Sequence, residues 1–282
     1  MAPIRIVTDS ASDIPQGFYP GVSVIPLAIT FGDRTFLDGV TLTHRQFYER
    51  LIESDELPTT SMVSPGQFAE VFEDAVNAGE DVVAVVLSSK LSGTYESALL
   101  AAQQFPGRVH VVDSMNATLG ERILVEYAMR LRDQGLDAAA VAQGVQDVRG
   151  RVRTMGVLDT LEYLRKGGRI SGATAAVGGM LSIKPVMWVD DGEIKQLGKA
   201  RGSKNGNNYL VRMCQENGVD FSMPHCAGYT GLDDKLLAKY VSDSAPLWKP
   251  YVDELPTSTI GATIGTHVGP GAIAVAFFAR ER

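Results

Sequence analysis

The chain is expected to fold as an α/β protein: an N-terminal three-layer α/β/α domain on a parallel sheet, then a C-terminal α+β domain with a mixed sheet. Three observations predict this. Buried-type strand runs alternate with helix-period segments through roughly the first half. A hairpin signature, which requires antiparallel pairing, then breaks the alternation. The chain's 282 residues, 45% hydrophobic and 21% charged, can bury one large core or two modest ones.

In order, Ile4 to Thr8, Val22 to Thr30, Val82 to Leu87 and Val109 to Val112 are β-branched, apolar runs that read as strands. Arg45 to Ile52, Phe68 to Asn77, Thr94 to Gln104 and Arg122 to Gln134 read as the helices between them. Such alternation builds a parallel sheet covered on both faces, with ligands at the carboxyl ends of its strands. The polar turns Asp9-Ser10, Ser88-Ser89 and Asp113-Ser114 fall there. A helix from Ala138 to Val148 leads to the second half. There Val186 to Val189, the turn Asp190-Asp191-Gly192 and Glu193 to Lys195 make the hairpin. A helix from Asn207 to Glu216, a strand near Ala227 to Thr230, a helix from Leu232 to Ser242 and a last strand, Ala272 to Ala279, complete it. The expected domains are 1–152 and 153–282, with the segment near 62–78 a candidate to pack with the C-terminal one.

The net charge of −7 argues against general nucleic-acid binding. It is unevenly spread: residues 149–212 hold 12 Lys/Arg and 5 Asp/Glu, a local +7, so the remainder carries −14. This basic belt could attract phosphate or an acidic partner, although solvated helix faces account for most such residues. The longest apolar runs fall short of a membrane span, so no integral insertion is expected. Met1 to Val7 enters a strand pattern at once, and a cytoplasmic protein without a signal peptide is expected. Cys214 and Cys226 lack CxxC spacing and predict neither a disulfide framework nor a metal site.

Three hydroxyl-rich stretches carry the chemistry: Pro58-Thr59-Thr60-Ser61, Leu91-Ser92-Gly93-Thr94, and Gly265-Thr266-His267-Val268-Gly269-Pro270-Gly271. Small hydroxyl donors with turn amides can hold an anionic head group, carboxylate or phosphate, without a metal or a buried formal charge. Ser64 is the natural N-cap of a helix beginning at Pro65, which leaves Thr60 and Ser61 free for a ligand. Ser92 precedes a helix start whose amides suit an anion, though a plain cap would look the same. Among four histidines, His267 stands in a glycine-rich turn that lets it approach a ligand, and as a neutral imidazole it can donate one hydrogen bond.

A stand-alone hydrolase or phosphotransferase using Ser92 and His267, oriented by Asp9 or Asp113, is the alternative. No G-x-S-x-G elbow supports it. Neither a Walker sequence nor G-x-G-x-x-G is present, and Asp9 and Asp13 are read as turn and cap residues.

The motifs resemble those of the DegV family, bacterial fatty-acid-binding proteins that include the binding subunits of fatty acid kinase. The likeness runs through Thr8-Asp9-Ser10, Pro58-Thr59-Thr60-Ser61, Leu91-Ser92-Gly93-Thr94-Tyr95 and Val112-Asp113-Ser114. It continues through Leu161-Glu162-Tyr163-Leu164-Arg165-Lys166-Gly167-Gly168-Arg169-Ile170, Ile183-Lys184-Pro185 and Gly265 to Gly271. The resemblance implies a long-chain fatty acid in an apolar tunnel between the domains and no cofactor. It also implies a carboxylate held by Thr60, Ser61, Ser92 and His267, with Gly93, Thr94, Gly265 and Thr266 as secondary turn residues. A separate ATP-binding kinase subunit is the implied partner, with Arg169 and Arg201 contacting it or the transferred phosphate. The chain then has no turnover of its own. Two departures stand out: Met62-Val63 replaces the usual Gln-Pro, and Lys204-Asn205-Gly206-Asn207-Asn208 is less basic than the family's consecutive lysines. Of the apolar residues considered for the tunnel, Ile29, Phe31, Met155, Met180, Leu181 and Phe278 are read as core.

Overall fold

The computed structural model describes residues 2–170 and 182–281. The first half runs β1 (Ile4–Asp9), β2 (Val22–Ile25), β3 (Ala28–Phe31), β4 (Arg34–Leu37), α1 (His44–Glu53), β5 (Thr59–Ser61), α2 (Pro65–Asn77), β6 (Asp81–Val86), α3 (Thr94–Ala102), β7 (Val109–Asp113), α4 (Leu119–Asp133) and α5 (Ala138–Val148). The second half holds β8 (Val152–Val157), α6 (Glu162–Lys166), β9 (Ile183–Asp190), β10 (Glu193–Arg201), α7 (Gly202–Asn217), β11 (His225–Tyr229), α8 (Lys235–Asp243), α9 (Ala245–Trp248), β12 (Thr257–Thr259), α10 (Ala262–Val268) and β13 (Ile273–Phe278).

Strands β2, β1, β6 and β7, in that order, form an all-parallel sheet. Because side chains alternate along a strand, Val83 and Val85 pack with α4 and α5, while Val82, Ala84 and Val86 face α2 and α3. That gives the three expected layers. The second sheet, ordered β10-β9-β8-β13-β11-β12, is antiparallel except for the β11–β12 pair, hence mixed. The β9–β10 hairpin turns at Asp191-Gly192, where both residues have positive φ, 50° and 78°, as a tight primed turn requires.

Helix α4 belongs to both halves. Leu119, Ile123 and Leu124 share one core with Val83 and Val85 of the parallel sheet and with Cys226, Ala276 and Phe278 of the mixed one.

Two expectations change. The run Val22 to Thr30 is not one strand: Pro26, which has no N–H to donate, divides it, and β3 leaves to form a three-stranded antiparallel sheet with β4 and β5. The 62–78 segment buries Phe68, Phe72 and Ala75 against the parallel sheet. It is the small sheet and α1 that reach the C-terminal half, through a cluster of Ile29, Phe47, Tyr48, Leu51 and Ala262 of α10. Gly265 makes this fit possible, since a Cβ there would stand 2.5 Å from the Tyr48 hydroxyl and 2.6 Å from the Phe47 ring.

Candidate functional site

Between the two sheets lies a cavity of about 330 Å³. Its floor follows from strand periodicity: Thr154 and Gly156 of β8, and Leu158 just past its end, face one way, flanked by Val189 and Met187 on β9 and Ala274 on β13. Gly156 and Ala274 lie opposite one another, and their small size leaves the groove open. Ile264 and Val268, one helical turn apart on α10, close the other side.

Away from Thr60 the wall contains three threonines, yet it is apolar. Thr118 Oγ1 donates to Asp13 Oδ2 at 2.5 Å, Thr154 Oγ1 to Asn116 Oδ1 at 2.9 Å, and Thr263 Oγ1 to Asp38 Oδ2 at 2.6 Å. With their hydroxyls engaged behind the wall, these residues leave their methyl groups for the cavity. Asp13 and Asp38, which they satisfy, and nearby Asp9 are structural. Asp9 accepts from the amides of Ala11 and Leu87, Asp13 from Gly261, and Asp38 from Ala262 and Thr263 at the start of α10. Burial pushes Asp9 up to about 6 and Asp13 up to about 8, and raises Asp38 as well. Turn and cap roles for Asp9 and Asp13 agree with these bonds. The described residues hold no group of three or more His, Cys, Asp or Glu able to bind a metal ion.

One end of the cavity is polar. Strand β5 presents Thr60, whose Oγ1 lies 2.9 Å from His267 Nε2, and both line the cavity together with Ser92, Gly93 and Arg169. Burial first, and then the positive charge of Arg169, lower His267 to about 4, so the ring is neutral at physiological pH. Its Nδ1 is buried without a hydrogen-bond partner among the described residues and faces the Cα of Gly167, where a Cβ would approach to 2.3 Å. A lone pair suits that C–H surface better than an N–H would. In the tautomer with the proton on Nε2, that proton is donated to Thr60 and the Thr60 hydroxyl proton is left to point elsewhere. Ser92 Oγ lies 2.9 Å from Thr94 Oγ1, which also accepts from the Val63 amide. Thr94 thus positions Ser92.

The expected set is partly regrouped. Alternation along β5 turns Ser61 away from Thr60; it is exposed and does not line the cavity. Gly265 packs on α1, and Thr266 bonds back to the Ala262 carbonyl, so neither reaches the polar end. His267 sits in the last turn of a helix, not in an open turn. Arg169 donates to the carbonyls of Gly167 and Leu91, whereas Arg201 is exposed at the end of β10 and lies off the cavity. Ile29, Met155 and Phe278 are buried core residues, Met155 also bordering the cavity, and Phe31 packs against Phe47 of α1; Met180 and Leu181 fall outside the described residues. Within the basic belt, Lys166, Lys195 and Arg212 pair with nearby acids, which is the solvated-face arrangement. Arg165, Lys199, Arg201 and Lys204 have no carboxylate partner among the described residues.

Ser92 and His267 do not form a nucleophile–base pair. Their hydrogen bonds go to Thr94 and Thr60, while Asp9 and Asp113 hold backbone amides. Among the cavity residues that sequence reasoning missed are Thr118, Thr154, Gly156, Met187, Thr263 and Ile264. For α10 alone was a signal present, in the helical spacing of Ile264, His267 and Val268.

Comparison with known proteins fits this geometry. Residues 3–280 match the family model described as "Uncharacterised protein, DegV family". A DegV domain-containing protein of Caldanaerobacter subterraneus is 35% identical over 280 residues, spanning 98% of this chain and 99% of that one. The structure is similar to that of a DegV family protein from Thermus thermophilus solved for its fatty acid binding, with TM-score 0.88, 33% identity and coverage of 99% and 100%. It is also similar to a stearic acid-binding protein from Eubacterium ventriosum, with TM-score 0.86, 26% identity and 98% of each chain covered. With its parallel and mixed sheets, the cavity between them and a match over nearly its whole length, the chain belongs to the DegV family.

Proposed function

We propose that this chain binds a long-chain fatty acid in the cavity between its sheets and presents the carboxylate to a separate ATP-binding kinase subunit. The observation that carries the reading is an apolar cavity whose one polar end gathers Thr60, Ser92 and His267. The tail supplies most of the affinity: at about 0.8 kcal/mol per buried methylene, some fourteen methylenes offer on the order of 11 kcal/mol before ordering costs. The head group then needs only partners for its oxygens. The Thr60 and Ser92 hydroxyls and the His267 relay behind Thr60 supply them, so no buried arginine is required against the carboxylate.

The fatty-acid-binding relatives support this ligand class. The exposed cations near Arg201, with Arg169 at the cavity, suit an acidic partner or a phosphate under transfer. The setting that suits such a protein is the cytoplasm. Among the described residues no helix is long and apolar enough to cross a membrane.

Native mass spectrometry of the purified protein tests the ligand. A stoichiometric, unhydrolysed long-chain acid is the expected result; a bare chain that takes up no acid from oleate-loaded vesicles contradicts it. For the partner, Arg201→Glu is expected to weaken acyl phosphate formation with the kinase subunit while leaving lipid affinity unchanged. Equal loss of both would refute that role.

A further inference from the structure

We infer that Gly167, at the end of α6, is the positioning residue that clamps the His267 imidazole against Thr60, and that its missing side chain is a requirement of the head-group site. The inference rests on the fatty-acid reading above for its functional consequence, though not for its geometry.

Three contacts make the clamp. On one side of the ring, Nε2 meets Thr60 Oγ1 at 2.9 Å. On the other, a Cβ at Gly167 would stand 2.3 Å from Nδ1, a distance that real Cβ atoms essentially never show, and a tight 3.0 Å from Cε1. The ring therefore fills the space that a side chain at 167 would occupy, and it cannot retreat from Thr60. The third contact fixes the glycine itself: its amide donates to the Tyr163 carbonyl at 2.8 Å, and its own carbonyl accepts from Arg169 Nη1 at 2.7 Å.

Helices α6 and α10 are interlocked in both directions. Tyr163 of α6 lies over Gly269, where a Cβ would meet its ring at 2.3 Å. Gly269 has φ of 73° and needs glycine for its backbone as well, so substitution there would mix two effects. Gly167 has φ −75° and ψ −7°, ordinary helical values that alanine adopts readily. The dominant obstacle to alanine is thus the His267 ring; Tyr163 O, the other near neighbour, would lie at 3.1 Å. The sequence Lys166-Gly167-Gly168-Arg169 carries no nucleotide-binding pattern, and packing against the imidazole gives its first glycine a reason.

The experiment is a double-mutant cycle of Gly167→Ala and His267→Ala, read by palmitate affinity and, without ligand, by 15N NMR of the His267 ring. Gly167→Ala is expected to weaken palmitate about tenfold in the native background and less than twofold in the His267→Ala background, where the methyl group has room. In the ligand-free single variant, the His267 ring is expected to lose its Nε2–H tautomer signature and to titrate nearer to an ordinary histidine. Recovery of melting temperature in the double variant guards against misfolding of the single one. Equal weakening in both backgrounds, or an unchanged ring signal in Gly167→Ala, overturns the inference. If His267→Ala alone leaves palmitate affinity intact, the carboxylate role of His267 fails while the ring signal still decides the clamp.

Discussion

Replacing Gly156 by valine should convert the cavity from one that favours long tails to one that favours short ones. A first added carbon is accommodated: the Cβ would lie 3.0 Å from the Ile273 carbonyl and 3.6 Å from both Ala274 Cβ and Leu158 Cδ1, so neighbours give by a few tenths of an ångström. The two methyl groups must then project into the groove. Leu158 clusters with Val268, next to His267, so Gly156 lies deeper by two strand positions, about 7 Å, and Thr154 deeper still. Three added carbons displace about three methylenes of a tail that passes this point. At about 0.8 kcal/mol each the loss is about 2.4 kcal/mol, or roughly sixtyfold in Kd. Titration calorimetry with palmitate and decanoate reads the effect as a ratio. Palmitate should weaken by that order, and the preference for it over decanoate should collapse, with thermal stability falling by only about 1 kcal/mol. If both acids weaken in the same proportion, or neither changes, the floor of the tunnel has been misplaced.

Other outcomes follow from the same geometry. Thr60→Val removes one carboxylate donor and leaves His267 Nε2 unpaired; palmitate affinity should fall about tenfold by calorimetry, with about 1 kcal/mol of stability lost. Thr263→Val keeps the wall methyl group but deprives Asp38 of a 2.6 Å donor. Stability in urea should drop by about 2 kcal/mol while palmitate Kd stays within twofold. His267 also predicts a pH dependence. The unfolded chain takes up a proton near 6.5, whereas the folded ring resists until about 4, so acid removes stability across that window, by about 3 kcal/mol in all. Asp9 and Asp13 act in the opposite sense, since their raised values favour the folded state in acid. The difference between wild type and His267→Gln isolates the histidine, and a difference that does not change between pH 7 and 4 would refute its neutral burial.

The layers of the N-terminal half were legible because they rest on periodicity. Val82 to Val86 is apolar throughout, and only a strand buried on both faces explains it. The hairpin was legible because Asp191-Gly192 demands positive φ. Site residues fared differently. Thr60 and Ser92 stand out as hydroxyls in short motifs, and His267 as a histidine among glycines. That Ser61 turns away depends on β5 being a strand, and nothing local in three residues announces one without β3 beside it. Gly265 reads as a conformational glycine and Gly167 only as part of a motif, yet at neither position does the backbone need glycine; each makes room for a ring that arrives from distant sequence. The tunnel floor was least visible of all, because an apolar residue that lines a void and one that fills a core are chemically alike.

The shared helix α4 has a consequence for how the proposed ligand would be exchanged. A rod cemented into both slabs prevents them from swinging apart as rigid plates, since that would expose Leu119, Ile123 and Phe278 to water at about 25 cal/mol for every Å² uncovered. Traffic must then pass at the periphery, where attachments are few. The tip of the β9–β10 ribbon is such a place: its polar contacts with the opposite slab among the described residues are one buried bond, Ser88 Oγ to the Gly192 carbonyl, and one surface ion pair, Lys90 with Asp191, beside the Met115 side chain that packs on Gly192. Peeling that tip would breach the wall beside Trp188 and Ile194 at the cost of two polar contacts, leaving the cemented centre undisturbed.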